Sequence, residues 1–284
     1  MTNAPLAEWL AAAWACEAEV RAVEVEGAVV RYRAWPADPA LPVLLFVHGF
    51  QAHARWWDHI APHFAGRYRP VAIDLTGMGD SDRRESYSRR QYAREILAVL
   101  AQEGGGKATL VPHSFGSVSA LFAGRLAPEA IERIVVIDAH VFREENDGPV
   151  RDMVLRPYPS FEEALGRYRL NPPGKWPVPE ILDYLARHSL RQTGAGWEWK
   201  FDPAILRSVH GETIRAELSG LDLPVDFIRG ELSETAGPDS AQGFREHLPR
   251  FGEPVVIPVC HHHVMIEQPL ALLAALRGVL ARQV

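Results

Sequence analysis

Two stretches of the 284-residue chain hold side chains suited to nucleophilic chemistry. The first is Val111-Pro112-His113-Ser114-Phe115-Gly116, set between a strand-like apolar run and a helix-like one. A serine on a sharp strand-to-helix turn projects its hydroxyl from the edge of a sheet. Such a turn crowds its flanks, so the residues two before and two after the serine must be small or tightly folded. Gly116 meets that need. Pro112 stands where glycine is usual, compact but with a fixed φ and no N–H. The context makes Ser114 the candidate nucleophile; the plain alternative is a serine that caps a helix. The second stretch is Cys260-His261-His262-His263, just after the last strand-like run. A serine nucleophile needs a base, and one of these histidines can serve while two stand by. No metal site is expected, because neighbouring side chains point in different directions and no partner ligand set is evident. Cys260 reads as a small buried filler. His113 is expected to pack or hydrogen-bond behind the serine. His53, His59 and His63 read as surface or structural residues, with His53 able to reach a pocket.

The surrounding pattern must position these groups. Val20 to Trp35 alternates apolar and polar residues around Gly27, which predicts a two-strand hairpin. Apolar runs at 42–47, 68–75, 107–111, 131–137, 224–230 and 254–259 predict buried strands. A helix ending at Gly104-Gly105-Gly106, one over 116–126 and one from Pro269 lie among them. Strands alternating with helices imply a mostly parallel sheet covered on both faces, an α/β fold. Ligands of such sheets bind at the carboxyl ends of the strands, where the serine and the histidines fall. From about Val141 to Ser219 strand runs vanish. Prolines (157, 159, 172, 173, 177, 179) break this stretch into short helices, and it is dense in aromatics, including Tyr168, Trp176, Trp197 and Trp199. We expect a helical cap over 141–219, inserted into a core made of 1–140 and 220–284.

These features together resemble the α/β-hydrolase family. The likeness covers roughly residues 20–138 and 222–282. In that family the last strand is followed by a histidine and then an acidic-X-proline step that opens the final helix. Counting back from Glu267-Gln268-Pro269 makes His262 the implied base, with His261 or His263 as alternatives. His48-Gly49-Phe50 falls where the family has its oxyanion turn, which implies that the backbone N–H groups of Phe50 and Phe115 hold the oxyanion. Asp74 to Ser81 resembles the family's Gly-rich turn and is read as structural. Many members carry the acid three residues after the glycine that ends the penultimate strand. Here that position is Ser233, which cannot hold a charge, and Glu231 and Glu234 are nearby substitutes. Other branches, among them haloalkane dehalogenases and the cofactor-free quinaldine-type dioxygenases, place the acid at the end of the preceding core strand, which here is Asp138. The resemblance thus implies Ser114, His262 and Asp138 as the catalytic set. Asp138 could instead be a turn cap, with Glu234 or Glu231 as the acid.

The implied reaction is hydrolysis of a carboxylic ester, thioester or lactone of a small to medium, partly apolar substrate through an acyl-enzyme, with no cofactor and no metal. Serine disfavours the branches that use a carboxylate nucleophile. Carbon–carbon bond hydrolases and cofactor-free dioxygenases share the serine arrangement. A non-catalytic binding protein with a decayed site belongs to another class, and turnover lost in Ser114→Ala would exclude it. Net charge is −6 with 47% hydrophobic residues, so no general basic field exists to gather nucleic acid. The cluster Arg83, Arg84, Arg89 and Arg90 reads as a solvated loop and helix start. Two cysteines, no basic leader and no membrane-length apolar run make the cytoplasm the expected location, with no membrane partner. The expected partner is a small-molecule substrate, and monomer or homodimer is left open.

Overall fold

Each apolar run that reads as a strand pairs into one eight-stranded sheet in the computed structural model, which describes residues 4–142, 153, 155–174, 178–209 and 214–282. The strands are β1 (Glu19–Val25), β2 (Ala28–Ala34), β3 (Val43–Val47), β4 (Arg69–Ile73), β5 (Ala108–Pro112) and β6 (Ile131–Ile137). Beyond these come a small separate hairpin, β7 (Leu190–Thr193) and β8 (Gly196–Trp199), then β9 (Val225–Gly230) and β10 (Val255–Ile257). The order across the large sheet is β1-β2-β4-β3-β5-β6-β9-β10. β1–β2 and β2–β4 are antiparallel; every pair from β4 onward is parallel.

β3 and β5 are buried along their whole length, as expected of central parallel strands covered on both faces. Alternate residues of one strand enter different cores, because successive strand side chains point to opposite faces. Leu45, Val47 and Val136 join the core on one face. Leu44, Phe46 and Val135 join the core on the other. Helices Arg89–Glu103 and Gly116–Leu126 and the C-terminal helix Pro269–Leu280 cover the sheet. The N-terminal helix Ala4–Ala15 buries Leu10 and stacks Trp9 on His63 at 5.0 Å.

Between β6 and β9 lie short helices at Phe161–Gly166, Pro179–His188, Ala204–Ser208 and Arg215–Leu218, as the prolines predict. The β7–β8 hairpin departs from the expectation that strands vanish here. Its residues are mostly half-buried, so it lacks the continuous apolar run that marks the core strands. Trp176 and Pro177 lie outside the described residues. The arginine cluster is a solvated patch only in part. Arg84 donates to the Glu95 carboxylate and to the Val25 carbonyl. Arg89 lies 3.9 Å over the Phe115 ring and donates to the Phe115 carbonyl. Arg83 and Arg90 stay exposed, as expected, with Arg90 paired to Glu217.

Candidate active site

Four strands deliver their following residues to one edge of the sheet, and the backbone there is unusual. Among the described residues, non-glycine positive φ occurs at Gln51 (60°), Ser114 (49°), Asp138 (45°), Val259 (51°) and at Glu26 in the β1–β2 turn. The first four follow the carboxyl ends of β3, β5, β6 and β10. A left-handed residue with a Cβ costs roughly 1–2 kcal/mol, so it persists only where the surroundings enforce it. For Ser114 they do. Its N–H donates to the Ile137 carbonyl at 3.0 Å, and the Gly116 and Ser117 N–H groups close the turn onto His113 and Ser114. Pro112 sits within β5 opposite Val47, and the ladder passes on through the His113 N–H to the Val47 carbonyl.

The glycines around the serine are there because two turns press together. A Cβ on Gly49 would meet His113 Nδ1 at 2.8 Å and Ser114 Cβ at 3.4 Å. A Cβ on Gly116 would meet the His48 carbonyl oxygen at 2.6 Å. The turn after β3 is thereby held against the turn after β5. The backbone N–H groups of Phe50 and Phe115 have no acceptor among the described residues. The Phe50 and Phe115 rings contact each other, centroids 5.6 Å apart.

Asp138 and His262 meet directly. His262 Nδ1–H donates to Asp138 Oδ1 at 2.7 Å. Asp138 is fully buried and His262 is 4% exposed. The carboxylate accepts twice more: from Ser233 Oγ–H on Oδ1 at 2.6 Å, and from the Gly230 N–H on Oδ2 at 2.7 Å. Ser233, at the position where the resemblance expects the acid, therefore donates to Asp138. The sequence reading missed this role. Among the substitutes, Glu231 accepts from the Val259 N–H, and neither Glu231 nor Glu234 bonds to a described histidine. The three adjacent histidines separate cleanly: His261 Nδ1 is engaged by Glu267 at 2.8 Å, away from Asp138. Ser114 Oγ has no hydrogen bond to His262 among the described residues, so the structure joins His262 to Asp138 but not to the serine.

His113 packs behind the turn as expected. Its Nε2–H donates to the His262 carbonyl at 3.1 Å, and burial holds its basicity well below that of free histidine. Burial also pushes His263 down to about 3. Contrary to expectation, one nitrogen from each of His113, His262 and His263 lies within 4.8 Å of the others, a donor set of the type that holds transition metals. Two nitrogens of that cluster already have protein partners, His262 Nδ1 and His113 Nε2. His53 is buried rather than on the surface, with Nε2 against Ser189 Oγ at 2.9 Å. Cys260 is fully buried, and burial raises its thiol, which suits a filler and not a nucleophile. Asp74, in the Gly-rich turn, accepts from the Ala54 and Asp80 N–H groups, and burial pushes it up to about 6.

Beside this edge lies a cavity of about 180 Å³, lined by Phe50, Trp56 and His263 together with residues of the β6–β9 segment such as Tyr168 and Trp199. Ser114 and His262 do not line it; their neighbours Phe50 and His263 do.

Comparison with known proteins gives a consistent picture. Residues 44–276 match the model of the alpha/beta hydrolase family. The chain is 25% identical over 251 residues to an esterase of Mycobacterium tuberculosis, Rv0045c, covering 84% of this chain and 83% of that protein. The crystal structure of that esterase superposes with a TM-score of 0.76, at 23% identity, over 98% of this chain and 97% of the other. A thioesterase domain from the curacin biosynthetic pathway gives a TM-score of 0.76 at 21% identity, over 92% of this chain and 99% of that one. With four-fifths of its length matched, the chain belongs to the alpha/beta hydrolase family.

Proposed function

We propose that the protein hydrolyses a carboxylic ester, thioester or lactone by a serine mechanism. The observation that carries this reading is the buried His262–Asp138 hydrogen bond at the sheet edge where Ser114 turns out of β5. With Nδ1–H given to Asp138, Nε2 of His262 keeps a lone pair. It takes the proton of Ser114 as Oγ attacks the substrate carbonyl, after a rotation of the serine side chain that closes the Ser114–His262 contact. The N–H groups of Phe50 and Phe115 donate to the developing oxyanion; donors of this kind are worth roughly 3–4 kcal/mol each. His262 then protonates the leaving alcohol or thiol, and the acyl group stays on Ser114. Water, deprotonated by His262, releases the acid and restores the serine. Asp138 holds the tautomer and stabilises the imidazolium. The described residues of the 141–219 segment act as the cap over the pocket. The names of the relatives, an esterase and a thioesterase, support ester-type chemistry.

Brief reaction with a p-nitrophenyl ester, an acid quench and intact-mass analysis test the proposal. A mass gain equal to one acyl group, mapped to Ser114, is the expected result. The placement of Asp138 after β6 also suits carbon–carbon bond cleavage or cofactor-free oxygenation. Oxygen consumption with no acyl adduct would favour the latter.

A further inference from the structure

The cavity beside the candidate site has an uneven charge. The chain as a whole carries more acid than base, with 36 Asp and Glu against 30 Lys and Arg. Among the described residues the cavity wall reverses this: it includes Arg167, Arg169 and Lys200, and no aspartate or glutamate. Lys200 is largely withdrawn from water, its side chain 14% exposed, and among the described residues its ion-pair partner is the half-exposed Asp80 at 2.7 Å. Arg169 is anchored by donating to the Gly166 and Tyr168 carbonyls, which leaves the rest of its fork available. The Arg167 guanidinium has no hydrogen bond or ion pair with a described residue. His53 and His263, which also line the cavity, do not add to this charge: burial keeps both neutral at pH 7. The remaining wall is aromatic and aliphatic, with Phe50, Trp56 and Trp199 among its members.

Three cations around an apolar chamber form a receptor for a small amphipathic anion. Guanidinium forks match a carboxylate in plane and spacing; Arg167 and Arg169 are exposed at the mouth, and only Lys200 is withdrawn enough from water for its attraction to be strengthened. With a neutral substrate the partly desolvated Lys200 charge is compensated among the described residues by Asp80 and, at longer range, by Asp74; a substrate carboxylate adds a partner from the cavity side. The volume is about six water volumes, at roughly 30 Å³ each in the liquid. That is room for a chain of a few carbons. We infer that the substrate carries a carboxylate remote from the scissile carbonyl, bound by Arg167, Arg169 and Lys200, with a short carbon chain against Phe50, Trp56 and Trp199. This inference rests on the hydrolase reading above, and it makes the preferred substrate a half-ester or half-thioester of a short dicarboxylic acid, or its equivalent.

The test compares mono-p-nitrophenyl glutarate with p-nitrophenyl pentanoate, which is similar in size and neutral. Wild-type kcat/KM is expected to favour the glutarate about tenfold or more, mainly through KM. Raising salt from about 0.05 to 0.5 M should shrink the preference as the charges are screened. Arg167→Gln and Lys200→Gln should each lower the glutarate-to-pentanoate ratio about tenfold. A wild-type ratio at or below one, or a ratio unmoved in both variants, overturns the inference. If neither ester is turned over, the hydrolase reading fails and calorimetry with glutarate itself decides the subsite. Binding that weakens about tenfold in Arg167→Gln upholds it, and absence of binding refutes it.

Discussion

Replacing Asp138 by asparagine removes one charge and almost no volume. The carboxylate receives three donors: His262 Nδ1–H, Ser233 Oγ–H and the Gly230 N–H. An asparagine offers one oxygen and one NH2. With its oxygen toward His262 and Ser233, the NH2 would face the Gly230 N–H, donor against donor in a fully buried place, at a cost of about 1–3 kcal/mol. The amide is therefore expected to turn over, satisfying Gly230 and pointing NH2 at His262 Nδ1. That nitrogen must then accept, so the ring proton moves to Nε2 and the lone pair needed by Ser114 is lost. A trapped tautomer of this kind lowers kcat by about 10⁴-fold, roughly 5.4 kcal/mol of barrier at 1.36 kcal/mol per factor of ten. Fold stability should fall only by the weaker hydrogen bonding, about 1–3 kcal/mol. The assay is kcat/KM for p-nitrophenyl butyrate, with thermal unfolding of the same samples. A folded Asp138→Asn enzyme within tenfold of wild type would refute the reasoning. So would a loss of equal size in Glu234→Gln.

Three more predictions come from the same contacts. Ser233→Ala removes one donor to Asp138 and the acceptor of the Ala236 N–H, so it should lower kcat/KM about tenfold and stability by about 1–2 kcal/mol; unchanged values in both would remove Ser233 from the account. Gly116→Ala forces a Cβ to 2.6 Å from the backbone oxygen of His48, which cannot swing aside, and should destabilise the fold by about 1–3 kcal/mol, read as a lower urea midpoint; a neutral effect would contradict the pressed turns. Stability should also drop in acid. His48 and His59 are each pushed down to about 4 by burial, while the unfolded residues take protons near 6.5. Because the folded values lie below the unfolded ones, this contribution is present above pH 6.5 and is lost as pH falls toward 4. The loss between pH 7 and 5 is roughly 2 kcal/mol for each residue. Asp74, raised to about 6, works in the opposite direction and returns roughly 1 kcal/mol over the same range. A urea midpoint that stays level or rises from pH 7 to 5 would contradict this.

The core strands were legible because buried parallel strands are short, continuous apolar runs, and β3, β5 and β6 stand out as such. Ser114 was singled out by its position directly after such a run, and His262 and Asp138 by the family resemblance, which admits two acid positions. What was not legible depends on contacts between distant residues. Ser233 supports Asp138 across 95 positions, and nothing local marks it for that role. Arg84 and Arg89 look like surface charges in a row, yet Glu95, the Val25 carbonyl and the Phe115 ring draw them inward. The β7–β8 hairpin hid because it is a half-buried ribbon with no apolar run; its Gly194 and Gly196 turn was the available signal. His113 and His263 approach His262 because the β5 turn and the last loop meet at one edge, which spacing in sequence does not disclose.

The central claim is that Ser114 is the nucleophile, and steady-state hydrolysis of p-nitrophenyl butyrate by wild type and Ser114→Ala tests it most directly, with thermal unfolding to show that both are folded. The account predicts measurable turnover in wild type and a loss of about 10⁴–10⁶-fold in the variant. Turnover that survives in a folded Ser114→Ala protein would contradict it.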